Sequence, residues 1–197
     1  MRIVAGTHKG RALVTPRNDK EGGAKTRPTA ARTREAVFNV LAHDPDGPAL
    51  EGARVIDLFA GSGALGFEAL SRGAAFVLFV DTDAAARGAI RTNAEALGEI
   101  GRCRIHRRAA ESLGDKPAGL GAPFDLAFLD PPYRQGLAVK ALDALAEGGW
   151  LAEGARVVVE VGHDEPNPEA AGFALDDVRI YGESKVAFLR RVPEHAR

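Results

Sequence analysis

Cysteine is almost absent from this 197-residue chain: Cys103 stands alone, beside one Trp, one Met and two Tyr. A single thiol closes no internal disulfide and builds no cysteine metal centre, so a disulfide scaffold and a zinc ribbon are both excluded, and no metal is expected. In its apolar-alternating stretch Cys103 is expected to be a small buried hydrophobe rather than a reactive thiol. Long apolar runs are lacking too. The longest, Ala74 to Val80, falls far short of the roughly 18 to 20 residues that cross a bilayer, and Arg2 follows Met1 without an apolar signal segment. A cytoplasmic protein is expected. Net charge is nearly zero as well, with 26 basic against 27 acidic residues.

What is present is an ordinary globular composition, 45% apolar and 27% charged. At roughly 100 to 200 residues per domain, it makes one domain with at most a small appendage. The charges are not evenly spread. The first 41 residues hold nine basic and three acidic side chains, and the remainder holds seventeen and twenty-four. A basic end on an acidic body points to a polyanionic partner, with a solvated basic tail as the alternative.

Residues 3–14 alternate around a Gly-containing turn, Ile3, Val4 and Ala5 against Ala12, Leu13 and Val14, which predicts a short hairpin. Residues 16–28 carry Pro, Gly and charge without apolar periodicity and read as an exposed loop. From Thr29, helical spacing of Ala30, Ala36, Val37, Val40 and Leu41 predicts a helix that stops at Asp44-Pro45-Asp46-Gly47-Pro48. The body then alternates. Strands are expected at Arg54 to Phe59, Ala75 to Val80, Cys103 to His106, Phe124 to Leu129 and Arg156 to Glu160. Helices are expected at Ala64 to Ser71, Ala84 to Leu97, Ala109 to Leu113 and Leu137 to Ala146. Strands joined by helical crossovers make a mostly parallel, doubly wound α/β sheet. Phe173 to Tyr181 and Lys185 to Arg191, joined by Gly182-Glu183-Ser184, predict a closing hairpin. The organisation expected is a basic extension, residues 1–50, followed by a catalytic domain, residues 51–197.

In such a sheet, ligands bind beyond the carboxyl ends of the strands. Asp57-Leu58-Phe59-Ala60-Gly61-Ser62-Gly63-Ala64-Leu65-Gly66 places a Gly-x-Gly-x-x-Gly run after the first of these strands and at the start of a helix. The glycines let the backbone turn tightly and approach a ligand closely. A ligand-free turn would use similar residues. Asp81, twenty residues after Gly61 at the end of the next strand, can accept both hydroxyls of a ribose, which favours an adenosine-type cofactor. Asp57 separates the candidates: its charge repels the pyrophosphate of a dinucleotide but favours the ammonium and sulfonium of S-adenosylmethionine. The alternative for Asp57 is a helix cap or a buried carboxylate bonded to loop amides.

Asp130-Pro131-Pro132-Tyr133 follows the strand Phe124 to Leu129. The prolines hold the backbone direction, so the Asp130 carboxylate and the Pro131 carbonyl face the cleft, and Tyr133 adds a flat face. Two acceptors and a flat face suit a planar ring bearing an amine, and accepting both N–H groups aims its nitrogen lone pair at a methyl donor. A proline-stiffened turn is the structural alternative. With no cysteine in this loop, methylation through a covalent pyrimidine adduct is not expected.

Together, Asp57-x-Phe59-x-Gly61-x-Gly63, Asp81 and Asp130-Pro131-Pro132-Tyr133 resemble the class I S-adenosylmethionine-dependent amino-methyltransferases. Arg2-Ile3-Val4-Ala5-Gly6 with Gly10-Arg11, Thr26-Arg27-Pro28-Thr29, Arg34-Glu35-Ala36, Phe38-Asn39, Gly61 through Ala69 and Gly148-Gly149-Trp150-Leu151 narrow this to the bacterial RsmD family. That family methylates the N2 amine of a guanine in small-subunit (16S) ribosomal RNA. The resemblance implies a seven-stranded Rossmann-like sheet whose last strand is antiparallel. It implies that Asp57, Gly61 and Gly63 take the methionine end of S-adenosylmethionine, with Phe59, Ala60 and Ser62 in the same turn. Asp81 takes the ribose, and Asp130 to Tyr133 take the guanine. It further implies that the basic amino-terminal segment, with Arg2, His8, Lys9, Arg11, Arg27 and Arg32, contacts ribosomal RNA, and that the enzyme works as a monomer on a small-subunit particle without metal or membrane. Two departures stand out. Where relatives carry an Asp or Asn for the adenine amine, this chain has Arg107-Arg108-Ala109-Ala110, leaving adenine to backbone groups at Ala109, and an acid of the amino-terminal motif is replaced by Ala31. Arg102, Arg104, Arg107 and Arg108 extend the basic surface or form a solvated strand edge. The competing readings are a DNA adenine-N6 or other planar-amine methyltransferase, a glutamine-modifying enzyme, and a noncatalytic RNA-binding module.

Overall fold

Residues such as Val55, Ile56, Val77 and Leu78 are apolar in unbroken runs because helices cover both faces of the strands they form. In the computed structural model, which describes residues 1–16, 28–44, 47 and 49–193, the parallel strands are β1 (Arg54–Leu58), β2 (Phe76–Val80), β3 (Cys103–His106), β4 (Phe124–Leu129) and β5 (Leu151–Gly162). They join β6 (Phe173–Tyr181) and β7 (Ser184–Arg191) in one sheet of order β3-β2-β1-β4-β5-β7-β6, with β7 antiparallel to both neighbours. The doubly wound sheet and the reversed last strand are as expected.

The helices are α1 (Pro28–Ala42), α2 (Ala64–Ser71), α3 (Ala84–Leu97) and α4 (Leu137–Glu147). One core layer gathers Phe38 of α1, Phe67 of α2 and Ile90 of α3 against Phe79 and Phe128 of the sheet. The other gathers Ala141, Leu142 and Leu145 of α4 with Trp150, whose indole N–H donates to the Gly114 carbonyl at 2.7 Å. Cys103 is buried in the first layer, and burial pushes its thiol up, as suits a packing residue. Among the described residues, no helix is long and apolar enough to cross a membrane.

Four expectations needed correction. The predicted hairpin at residues 3–14 is present but shorter and shifted, Met1–Ile3 against Gly10–Leu13: Arg2 bridges Ala12, the Ile3 N–H donates to the Arg11 carbonyl at 3.0 Å, and the Gly10 and Leu13 N–H groups donate to the Ile3 and Met1 carbonyls at 2.9 Å. Its remaining amides are spent elsewhere: those of Val4 and Ala5 go to the Glu68 carboxylate, that of His8 to Ser71 Oγ and that of Val14 to Asn93 Oδ1. The short hairpin is therefore also docked along α2 and α3. Ala109 to Leu113 shows only a 3-10 turn at Ala110–Ser112, because Gly114 (φ 64°) turns the chain away directly after it. β5 starts at Leu151 rather than Arg156, since Gly154 (φ 77°) lets its first residues pair with Phe124 across a register shift. Phe59, expected to end β1, has left the strand at φ 58°. The loop expected at residues 16–28 lies almost wholly outside the described residues, as do Pro45, Asp46 and Pro48.

Candidate active site

Parallel pairing brings the sequence-distant motifs together. Leu58 pairs with Val80 on one side and Leu129 on the other, and Leu129 pairs with Val159. The next residue along each strand is then Asp81, Phe59, Asp130 and Glu160, one row along the carboxyl edge. β1 lies where the chain order reverses between β2 and β4, the usual place for a ligand in an open α/β sheet.

The turn after β1 is shaped by backbone conformation. Phe59 is held in the left-handed region, rare for a side chain of its size, and Gly61 (φ 55°) and Gly63 (φ 75°) follow it. A Cβ at Gly63 would meet the Phe67 and Phe79 rings at 2.8 and 2.9 Å, and one at Gly66 would come within 2.3 Å of Phe79. Those two glycines let α2 settle onto β2. A Cβ at Gly61 would touch nothing closer than the Phe59 carbonyl at 4.0 Å, so Gly61 leaves space over the turn. The open space over Gly61 is what a cofactor such as S-adenosylmethionine needs to approach this turn. Asp81 ties it down: Oδ2 accepts from Gly61 N–H and Oδ1 from Asp83 N–H, both at 2.8 Å. Each oxygen keeps a further lone pair for a hydroxyl.

Asp57 is 2% exposed and its Oδ2 accepts the Gly66 N–H at 2.9 Å, capping the first turn of α2. The reading of Asp57 as a cofactor contact is thus joined by the helix-cap role that was its alternative. Burial drives its carboxyl well above the ordinary range against the pull of the Gly66 bond, and Asp130 and Asp81 push the same way. Asp130 opens onto the cleft at the end of β4, yet the surrounding protein and then the Glu160 charge raise it to about 7. Pro131 is buried, and Tyr133 is half-buried with its O–H donating to Glu160 Oε1 at 2.6 Å. Burial and then that bond hold the phenol protonated.

A family model described as "Conserved hypothetical protein 95" matches residues 1–190. The chain belongs to this family. It is 39% identical over 185 residues to the ribosomal RNA small subunit methyltransferase D of Escherichia coli strain K12, covering 93% of this chain and 86% of that protein. The Haemophilus influenzae protein of the same name is 36% identical over 170 residues, covering 84% of this chain and 81% of its own. The solved structure of yhhF from Escherichia coli superposes with a TM-score of 0.76 at 33% identity, over 98% of both chains. The RsmD resemblance drawn from the motifs therefore stands, and the fold is that of a class I methyltransferase.

In this family member the described basic residues at the amino-terminal hairpin tip, Lys9 and Arg11, do not converge on the cleft. α2 starts at the glycine turn and runs back along the sheet, so its end at Ser71 lies about 12 Å away at a rise of 1.5 Å per residue. Ser62 touches Met1, Glu68 holds Val4 and Ala5, and Ser71 holds Thr7 and His8, placing the Lys9–Gly10 tip at the far ends of α2 and α3. His8, for which an RNA contact and a solvated loop histidine were both open, places Nε2 2.5 Å from the buried Glu99. Burial opposes ionisation of Glu99, but its bonds to Arg102 and His8 outweigh this and hold it below the usual carboxylate range. Arg11 donates to the Ala96 carbonyl and Arg2 to the Gly10 carbonyl, though both remain exposed, as do Lys9 and Arg32. Arg27 lies outside the described residues. Ala109 is half-buried one turn beyond β3.

Three positions had no part in the sequence reading of the site. Glu160 neighbours Asp130 and anchors Tyr133, and Ser184 joins them from β7. Asn93, 1% exposed, donates to both the Ser62 and Val14 carbonyls, linking the glycine turn to the amino-terminal segment. Only strand pairing reveals the first two. A recess of about 850 Å³ lies elsewhere, between α1 and strands β5–β7, and its arginines 156, 179 and 190 are ion-paired with Asp44, Asp176 and Asp177.

Proposed function

We propose that this chain transfers a methyl group from S-adenosylmethionine to the N2 amine of a guanine in small-subunit ribosomal RNA. The observation that carries this is the single row along the sheet edge, where the cradle over Gly61, the Asp81 carboxylate and the Asp130-Pro131-Pro132-Tyr133 loop share one opening. The names of the 39% and 36% identical relatives support ribosomal RNA as the substrate. When bound, S-adenosylmethionine supplies a methyl carbon on a sulfonium, a leaving group that needs no proton. Gly61, Ser62 and Gly63 hold the methionine end, with Phe59 and Ala60 in the same turn, Asp57 at its floor, Asp81 on the ribose hydroxyls and Ala109 backbone at the adenine.

Asp130 and the Pro131 carbonyl accept the two N–H groups of the guanine amine and aim its nitrogen, while Pro132 stiffens the loop and Tyr133 stacks on the ring. As the N–C bond forms and the C–S bond breaks, the surplus proton on nitrogen passes to the Asp130 carboxylate and on to solvent. The guanine must be unstacked to reach this loop. Residues 1–50 serve as the RNA-contacting extension of the catalytic domain, residues 51–197, in a cytoplasmic monomer that uses no metal. With the hairpin tip remote from the cleft, Lys9 and Arg11 would meet phosphates distant from the target guanine, as a folded ribosomal particle provides.

Asp130→Ala should abolish transfer of tritiated methyl to small-subunit particles while calorimetry still shows S-adenosylmethionine binding. Near-normal turnover by that variant, or an unchanged N2-methylguanosine profile in ribosomal RNA from cells lacking the gene, would sink the assignment.

A further inference from the structure

Glu160 is one position beyond the Leu129–Val159 pair, so it flanks Asp130, and on its other side Gly162 pairs with Ser184. Its Oε1 accepts the Tyr133 hydroxyl at 2.6 Å and the Ser184 hydroxyl at 2.7 Å, and those two oxygens lie 2.8 Å apart. A tyrosine at a cleft wall is otherwise anchored only through Cα and can swing about χ1. Here the far end of the ring is tied to the sheet as well.

We propose that Glu160 is a positioning residue of the methyl-acceptor site, fixing the Tyr133 ring as a wall for the target base and holding a second negative charge beside Asp130. This rests on the function proposed above. Among the described residues, the titratable groups that couple to Asp130 are Glu160 of β5, Asp57 of β1 and Tyr133 of its own loop, and Arg134 follows Tyr133 in that loop. Arg134 is engaged by Asp164 at 2.9 Å and so brings little uncompensated positive charge. Desolvation by the surrounding protein is the larger cause that raises Asp130 to about 7, and the Glu160 charge adds to it. The sign is then set. Asp130 accepts an amine N–H more strongly when ionised and can take up the surplus proton only in that form, so transfer falls as pH drops through this range, and removing the Glu160 charge moves the fall to lower pH.

Two kinds of variant separate charge from tether. Glu160→Gln keeps an oxygen for the Tyr133 hydroxyl but loses the charge, whereas Tyr133→Phe and Glu160→Asp keep the charge but cut or shorten the tether. In the full chain, carboxyl carbon-13 NMR of Asp130, assigned with Asp130→Asn, should titrate about one pH unit lower in Glu160→Gln than in the wild type. The acid limb of methyl transfer should move with it. In Tyr133→Phe and Glu160→Asp the midpoint should stay while KM for the RNA rises several-fold, and the two effects should not add in the double variant. Identical Asp130 midpoints in the wild type and Glu160→Gln, or a wild-type KM in Tyr133→Phe, would overturn the proposal. If Glu160→Gln does not fold, the Tyr133→Phe and Glu160→Asp double-variant cycle decides alone, with additive effects counting against. Absence of transfer by the wild type would sink the proposed function instead, and the NMR titration would still decide the arrangement around Asp130.

Discussion

Glu68 should be the most damaging single position to neutralise, although it touches no part of the cleft. Its carboxylate is fully buried in α2, where Oε2 accepts the Val4 N–H at 2.8 Å and Oε1 accepts the Ala5 N–H at 3.0 Å and Arg72 Nε at 2.9 Å. Arg34, itself 5% exposed, lies 3.6 Å away and has Glu68 as its counter-charge. In Glu68→Gln one oxygen can still accept, but the new NH2 must face a donor, leaving an amide N–H and the buried guanidinium uncompensated. An unsatisfied buried N–H costs about 1–3 kcal/mol, and breaking a buried ion pair costs about 3–5 kcal/mol. The two overlap, so the larger range is taken for the whole. For a chain of this length, at about 2–4 °C per kcal/mol, the melting temperature should fall by roughly 6–20 °C. The loss should also be local: with the dock weakened, trypsin should cut after Arg2, Lys9 and Arg11 well before the sheet is attacked. A fall of less than about 2 °C with an unchanged tryptic pattern would refute the claim that Glu68 pins the amino-terminal segment.

Gly66→Ala places a methyl 2.3 Å from Phe79 Cε1 and 2.8 Å from Val77 Cγ1. Overpacking costs about 1–3 kcal/mol and the better helix propensity returns about 1 kcal/mol, so urea denaturation should show a small net loss. A net gain in stability would mean that α2 does not pack on β2 as tightly as described. For Asp57→Asn the sign follows from linkage: burial raises the native carboxyl above the roughly 3.9 of an unfolded aspartate, so the wild type loses stability as pH rises from about 4 to the native value. The variant escapes that loss, and its thermal advantage should widen over this range while S-adenosylmethionine binding weakens. A gap that is constant with pH would rule out the buried charge as its cause.

The elements and three of the site carboxylates were legible in the sequence for local reasons. Apolar runs bounded by turns make buried strands, Gly61 and Gly63 mark a sharp strand-to-helix turn, and parallel strands must end on a common edge. Asp57, Asp81 and Asp130 therefore share a neighbourhood on the strength of the sequence alone. What tertiary structure alone decided depends on contacts between residues far apart in the chain. The register of β4 against β5, set across the shift between Phe124 and Leu126, puts Glu160 beside Asp130, and the reversal of β7 brings Ser184 to Tyr133. A one-residue slip would turn each of these side chains to the other face. The docking of residues 1–16 is decided in the same way. Charge counting marked the segment as basic, but the single buried carboxylate of Glu68 and the amide of Asn93 direct its tip away from the cleft. Asp57 shows both levels in one residue: its position at the carboxyl end of β1 marks it for the site, and only packing reveals that one oxygen is spent on the helix it caps.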